Sequence, residues 1–70
     1  MKSYIIEISS NDNHVALYKK NNKFYVENQA NRQGARISRV ICSEKTAVRL
    51  QGTKKEDQFD ALMQFWCDNI

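Results

Sequence analysis

Two adjacent asparagines, Asn21-Asn22, constrain this chain more than any other pair, because a stretch of alternating residues lies on each side of them. Asparagine tolerates positive φ better than most residues with a side chain. An Asn-Asn pair can therefore close a two-residue type I′ turn, whose twist matches that of the strands it joins. The stretches His14–Lys20 and Lys23–Gln29 then form a hairpin of fixed register. Lys20 faces Lys23, Tyr18 faces Tyr25, Ala16 faces Glu27 and His14 faces Gln29. Alternation puts Val15, Leu17, Phe24 and Val26 on one side and Tyr18, Tyr25, Glu27, Lys20 and Lys23 on the other. The first set is expected to be core and the second a solvent-facing sheet surface.

The flanking segments extend this nucleus. Ser3–Ser9 is β-branched and aromatic and reads as a strand, followed by a turn-forming cluster at Ser10-Asn11-Asp12-Asn13. Ala30–Gly34 suits another turn, and Arg36–Ile41 reads as a fourth strand. Two parities conflict: Ile5 opposes Ile6 and Ile8, and Val40 opposes Ile37 and Ile41. A bulge or burial on both faces resolves either one. Ser43 is placed as an N-cap and Gly52 as a stop for a short helix over 44–51 presenting Ala47, Val48 and Leu50, with a fifth strand as the alternative. Thr53 with Glu56 fits a capping box for a last helix. Phe59, Leu62, Met63, Trp66 and Ile70 recur at the spacing of one helical face, with Phe65 off the stripe toward the short helix. The expected fold is α+β: a four-stranded antiparallel sheet with two C-terminal helices packed on one face.

At 70 residues the chain forms a single domain, 1–70, with a small core and little room for a deep substrate pocket. No apolar run approaches the length of a membrane helix, so a soluble, cytoplasmic protein is expected. Cys42 and Cys67 lie outside metal-ligand spacing and are expected to be buried free thiols. His14 is the only histidine, without the partners that a metal site or a nucleophile would need. With no phosphate loop and no paired carboxylates, neither catalysis nor a cofactor is expected. The charge is uneven. Residues 1–55 hold eleven bases against four acids, a net +7, whereas residues 56–70 hold four acids and no base, a net −4. Such a basic body favours a nucleic acid or an acidic protein face as partner, or is simply solvated.

The tyrosine pair offers large contact area at low entropy cost, beside Glu27 and Lys23, and makes a protein-docking patch or a hairpin-stabilising cross-strand pair. A sheet with aromatics among bases can also stack single-stranded RNA or DNA, with Arg32, Arg36 and Arg39 nearby. Against that, the aromatic pattern of RNA-binding sheets is missing and Glu27 lies in the phosphate path.

The segments Asn13–Tyr18 (N-H-V-A-L-Y), Val26–Asn28 (V-E-N) and Gly34–Arg36 (G-A-R) resemble a small phage-encoded type I-F anti-CRISPR protein family over roughly residues 1–36. An opening Met-Lys strand with a tyrosine is shared, as is the interval from Tyr4 to Tyr18. The resemblance implies a four-stranded antiparallel sheet with two helices. It also implies a non-enzymatic inhibitor, acting in the host bacterial cytoplasm, that binds the backbone subunit of the crRNA-guided surveillance complex. Hybridisation of target DNA would thereby be blocked. The two tyrosines and the glutamate that bind in that family map to Tyr4, Tyr18 and Glu27, the last through a hairpin shortened by two residues. Tyr25, Lys20, Lys23 and Arg36 complete the expected contact set, the bases reaching an acidic or RNA-bearing rim. Truncating Tyr18 to alanine is expected to weaken binding and leave the fold intact. The alternatives are a single-stranded nucleic-acid-binding module and a mobile-element accessory protein with another protein partner.

Overall fold

The computed structural model describes Met1–Ile70 as a four-stranded antiparallel meander followed by two helices. The strands β1 (Ser3–Ser9), β2 (Asn13–Lys20), β3 (Lys23–Ala30) and β4 (Ser38–Cys42) lie side by side in chain order, and α1 (Glu44–Gln51) and α2 (Lys55–Asn69) follow. The central hairpin has the register that its two-residue turn dictates, from Lys20 opposite Lys23 to His14 opposite Gln29. Asn21 and Asn22 adopt φ of 52° and 64°, as a type I′ turn requires at both positions.

Val15, Leu17 and Val26 join Val40 and Cys42 of β4 on one face, where Ala47, Leu50 and Leu62 of the helices close over them. Ile6, Ile8, Phe24, Phe59, Met63, Phe65 and Trp66 pack around this centre. Within it, the buried Asn28 amide donates to Asn13 Oδ1 at 3.3 Å and to Met63 Sδ at 3.2 Å. No helix is long and apolar enough to cross a membrane.

Both parity conflicts resolve in the ladder. Tyr4 pairs with Tyr18 and Ile6 with Leu17, so Ile5 is an extra residue in β1. This bulge returns Ile6 and Ile8 to the core face while Tyr4 stays on the opposite one. The fourth strand covers Ser38–Cys42, not Arg36–Ile41, with Val40 inward and Ile41 outward. Pairing stops at Asn28 opposite Ser38, so Arg36 and Ile37 belong to the connecting loop, in which Gly34 takes a φ of +82°.

The short segment is a helix, capped by Ser43, whose hydroxyl accepts from the Thr46 amide at 3.1 Å. Val48 points outward, contrary to expectation, because only Ala47 and Leu50 of α1 meet the sheet. The capping box also fails. Lys54 occupies the N-cap of α2 without a side-chain bond, and Thr53 Oγ1 instead donates to Arg49 O at 3.1 Å, finishing α1. Ile70 lies past the end of α2 and is exposed, and Cys67 is exposed on its outer side, whereas Cys42 is buried.

Candidate partner-binding face

The helices cover one face of the sheet only, and the other gathers the expected contact residues. Registers align Tyr4, Tyr18, Tyr25 and Ile41 in a row across all four strands. The next row is Glu7, Ala16, Glu27 and Arg39. The row on the turn side carries Lys20 and Lys23. The bulge at Ile5 is what admits Tyr4 to the first row, since uninterrupted alternation would put it beside Ile6 in the core.

The tyrosines form a ladder. Tyr18 and Tyr25 stack with ring centroids 5.3 Å apart and planes at 21°, and Tyr4 leans on Tyr18 at 5.6 Å and 53°. Cations flank it: Lys2 Nζ lies 4.8 Å from the Tyr18 ring centre, and the Arg39 guanidinium 5.8 Å from that of Tyr25. Glu27 anchors the cover of this ladder. Its Oε1 receives Lys2 Nζ at 3.4 Å, and its Oε2 accepts from the Tyr4 hydroxyl at 3.2 Å, both from beyond β2. Ala16, opposite Glu27, is small enough to let these side chains cross.

This crossing corrects the expected solvent-facing surface at its centre. Tyr18 is 0% and Glu27 3% exposed, although neither lies under a helix. Alternation assigns the correct face to both residues, but cannot register that Lys2, Tyr4 and Tyr25 close over them. The outward residues are Tyr4, 43% exposed, and Ile41, 58% exposed, with Arg39 and Lys23. Tyr25 and Lys20 are half-buried. Arg36, in the loop before β4, is exposed but outside the paired rows. Lys2, Arg39 and Ile41 are the members that residue reading did not assign to the site. Lys2 precedes the first strand, and the facing of Arg39 and Ile41 follows from where β4 starts.

Burial and charge shape the ionisation of the cover. Partial desolvation of the Tyr4 phenol, then the adjacent Glu27 carboxylate, push its pKa up, only partly opposed by Lys2. Desolvation alone would lower Lys2, but the charge of Glu27 and its hydrogen bond outweigh it and hold the ammonium above its ordinary value. Lys2 therefore stays protonated and Tyr4 neutral at neutral pH. At the far end of the face, Ser9 Oγ lies 2.7 Å from His14 Nδ1, and Glu7 Oε2 3.8 Å from His14 Nε2. These three lie on an open rim. The one groove, about 690 Å³, runs along β1 and is lined by Glu7 and Ser9 with Gln51, Lys55 and Gln58 of the helical side.

One buried polar atom is left over: the Tyr18 hydroxyl has no hydrogen-bond partner. No group of three or more His, Cys, Asp or Glu side chains is arranged to hold a metal ion. An aromatic row with a buried carboxylate and flanking cations offers contact area and charge-assisted hydrogen bonds to a macromolecular surface. Comparison of the chain with protein-family models, curated proteins and solved structures returns no match.

Proposed function

We propose that this protein is a non-enzymatic anti-CRISPR inhibitor that docks its uncovered sheet face on the backbone subunit of a type I-F crRNA-guided surveillance complex. Docking there blocks hybridisation of target DNA. One observation carries the reading: the bulge at Ile5 brings Tyr4 into direct contact with both Tyr18 and Glu27. These are the three positions that the family resemblance singles out, and no periodic reading of β1 unites them.

The outward members of the cluster suit a protein partner. Tyrosine and arginine dominate interface hot spots, and here Tyr4, Tyr25 and Arg39 surround a preorganised, largely dehydrated centre. Ile41 continues the row to the β4 edge and enlarges its apolar part. Glu27 is itself covered, and through its bonds to Lys2 and Tyr4 it fixes the two side chains that a partner would meet first.

The test mixes the purified protein with a type I-F surveillance complex and reads co-elution in size-exclusion chromatography beside target-DNA binding. Co-elution with loss of DNA binding is expected, and both effects should weaken in Tyr4→Ala. Failure to co-elute at micromolar concentrations would end the proposal.

A further inference from the structure

The turn end of the central hairpin carries charge that the fold leaves without an ion pair. Lys20 and Lys23 are directly opposed across β2 and β3, beside Asn21 and Asn22, and Lys19 sits on the other side of the same strand end. Like charges placed opposite each other in a sheet destabilise it. Yet none of these three ammonium groups is in an ion pair or donates a hydrogen bond within the protein. The lysine ion pair of the fold is Lys2 with Glu27, and the remaining close approach of a base to an acid is His14 Nε2 to Glu7 at 3.8 Å. Lys19 Nζ lies 5.4 Å from the centre of the Phe24 ring, a cation–π contact at an exposed residue that leaves its N–H donors without a protein acceptor.

The chemistry of this end differs from that of the tyrosine row. Protein interfaces are depleted in lysine and need an apolar centre. The tip displays lysines and asparagines around a turn, and its one adjoining aromatic, Phe24, is half-buried beneath Lys19. Base stacking needs an open ring face, and the tip presents none. What it does present is three ammonium groups without an ion pair at the end of two neighbouring strands, Lys20 and Lys23 on one face and Lys19 on the other. That arrangement matches the phosphates of a single strand, approached without reading bases.

We infer that Lys19, Lys20 and Lys23 form a phosphate-contacting site for single-stranded nucleic acid, separate from the tyrosine row. The inference does not rest on the proposed docking function, because it concerns the isolated chain and a free strand.

Fluorescence anisotropy with labelled oligo(dT), across salt from about 50 to 200 mM, tests it. Neutralising the tip in the triple variant K19Q/K20Q/K23Q should flatten the slope of log K against log salt by about 2, since each phosphate contact to a single strand contributes roughly 0.7. A charge-matched control, K45Q/K54Q/K55Q, removes the same charge from the helical side and should leave the slope within about 0.5 of the original. Relief of the Lys20–Lys23 repulsion should also hold or raise the denaturation midpoint of the tip variant, so its loss of binding is not unfolding. Equal flattening in both variants, or unchanged binding by the tip variant, would overturn the site. Polyglutamate competing as well as oligo(dT) would also overturn it, assigning the tip to an acidic protein face.

Discussion

The Tyr4 hydroxyl donates to Glu27 Oε2 across an intervening strand, and Lys2 reaches the other oxygen of the same carboxylate. Two residues from the start of the chain thus hold a glutamate near its middle, and Tyr18 is enclosed between them. A sheet with helices on one face ordinarily leaves the other wet. Here the wet face has a small dehydrated centre built from its own polar side chains. In the proposed docking, such a centre would offer a geometry that is set before any partner arrives.

Tyr18 should therefore behave as a core residue when truncated. Tyr18→Ala would leave a cavity among Tyr4, Tyr25 and Lys2 and should cost about 3–5 kcal/mol in chemical denaturation. That corrects the expectation of an intact fold, and makes alanine the wrong probe of docking at this site. Tyr18→Phe keeps the ring and removes only the unpartnered hydroxyl. Its midpoint should equal or exceed that of the original chain, because no intramolecular hydrogen bond is lost. A loss of more than about 1 kcal/mol in the phenylalanine variant would mean that the hydroxyl is satisfied in solution.

Alkaline pH should loosen the same cluster. Tyr4 and Lys2 both have folded-state pKa values above their ordinary values, near 10 and 10.5. The unfolded chain then releases these protons first as pH rises, and stability falls with pH. The contribution is complete below about pH 9 and disappears as pH passes through the raised values. Burial raises Cys42 as well, with the same sign, so the informative comparison keeps Cys42 in place. In thermal melts from about pH 8 to 11 the stability gap between the original chain and Tyr4→Phe should narrow with pH. A gap that stays constant would show that Tyr4 does not titrate from a raised value.

The two thiols should separate cleanly. Cys67 is exposed on α2, whereas Cys42 is buried beneath the helices and its thiol is pushed up by that burial, which keeps thiolate scarce. Iodoacetamide under native conditions should add one label, mapped to Cys67 by peptide mass, with the second appearing only in denaturant. Equal labelling rates at both sites would show that β4 opens from the helices easily.

How far residue patterns reached depended on the distance over which each decision is made. The hairpin register follows from Asn21-Asn22 and adjacent alternation, so it was readable in full. The helical stripe through Phe59, Leu62, Met63 and Trp66 was readable too, but its last member, Ile70, falls where α2 ends and has nothing to pack on. The facing of Tyr4 was announced only as a conflict of parity, since alternation cannot say which strand residue is the extra one. Burial of Tyr18 and Glu27 was invisible. It depends on Lys2 and Tyr4 crossing β2 over Ala16, a three-strand relationship that no local pattern contains.

The bulge leads to the last expectation. Deleting one residue from a strand normally flips every side chain on one side of the cut. Ile5 is different, because its neighbours Tyr4 and Ile6 already pair with the adjacent residues Tyr18 and Leu17. Its removal joins two correctly facing halves into a regular ladder and takes away an exposed isoleucine. The Ile5 deletion should fold, with stability changed by no more than about 1 kcal/mol, because Ile5 lies outside the core cluster and the residues packed on it. Tyr4 should keep its contact with Glu27, and so its raised titration, read by tyrosine absorbance between about pH 9 and 12. An unfolded deletion variant, or a folded one in which that titration returns to the ordinary range, would show that the bulge does more than offset parity. In that case the local bend it gives β1 would be what aims Tyr4 across Tyr18.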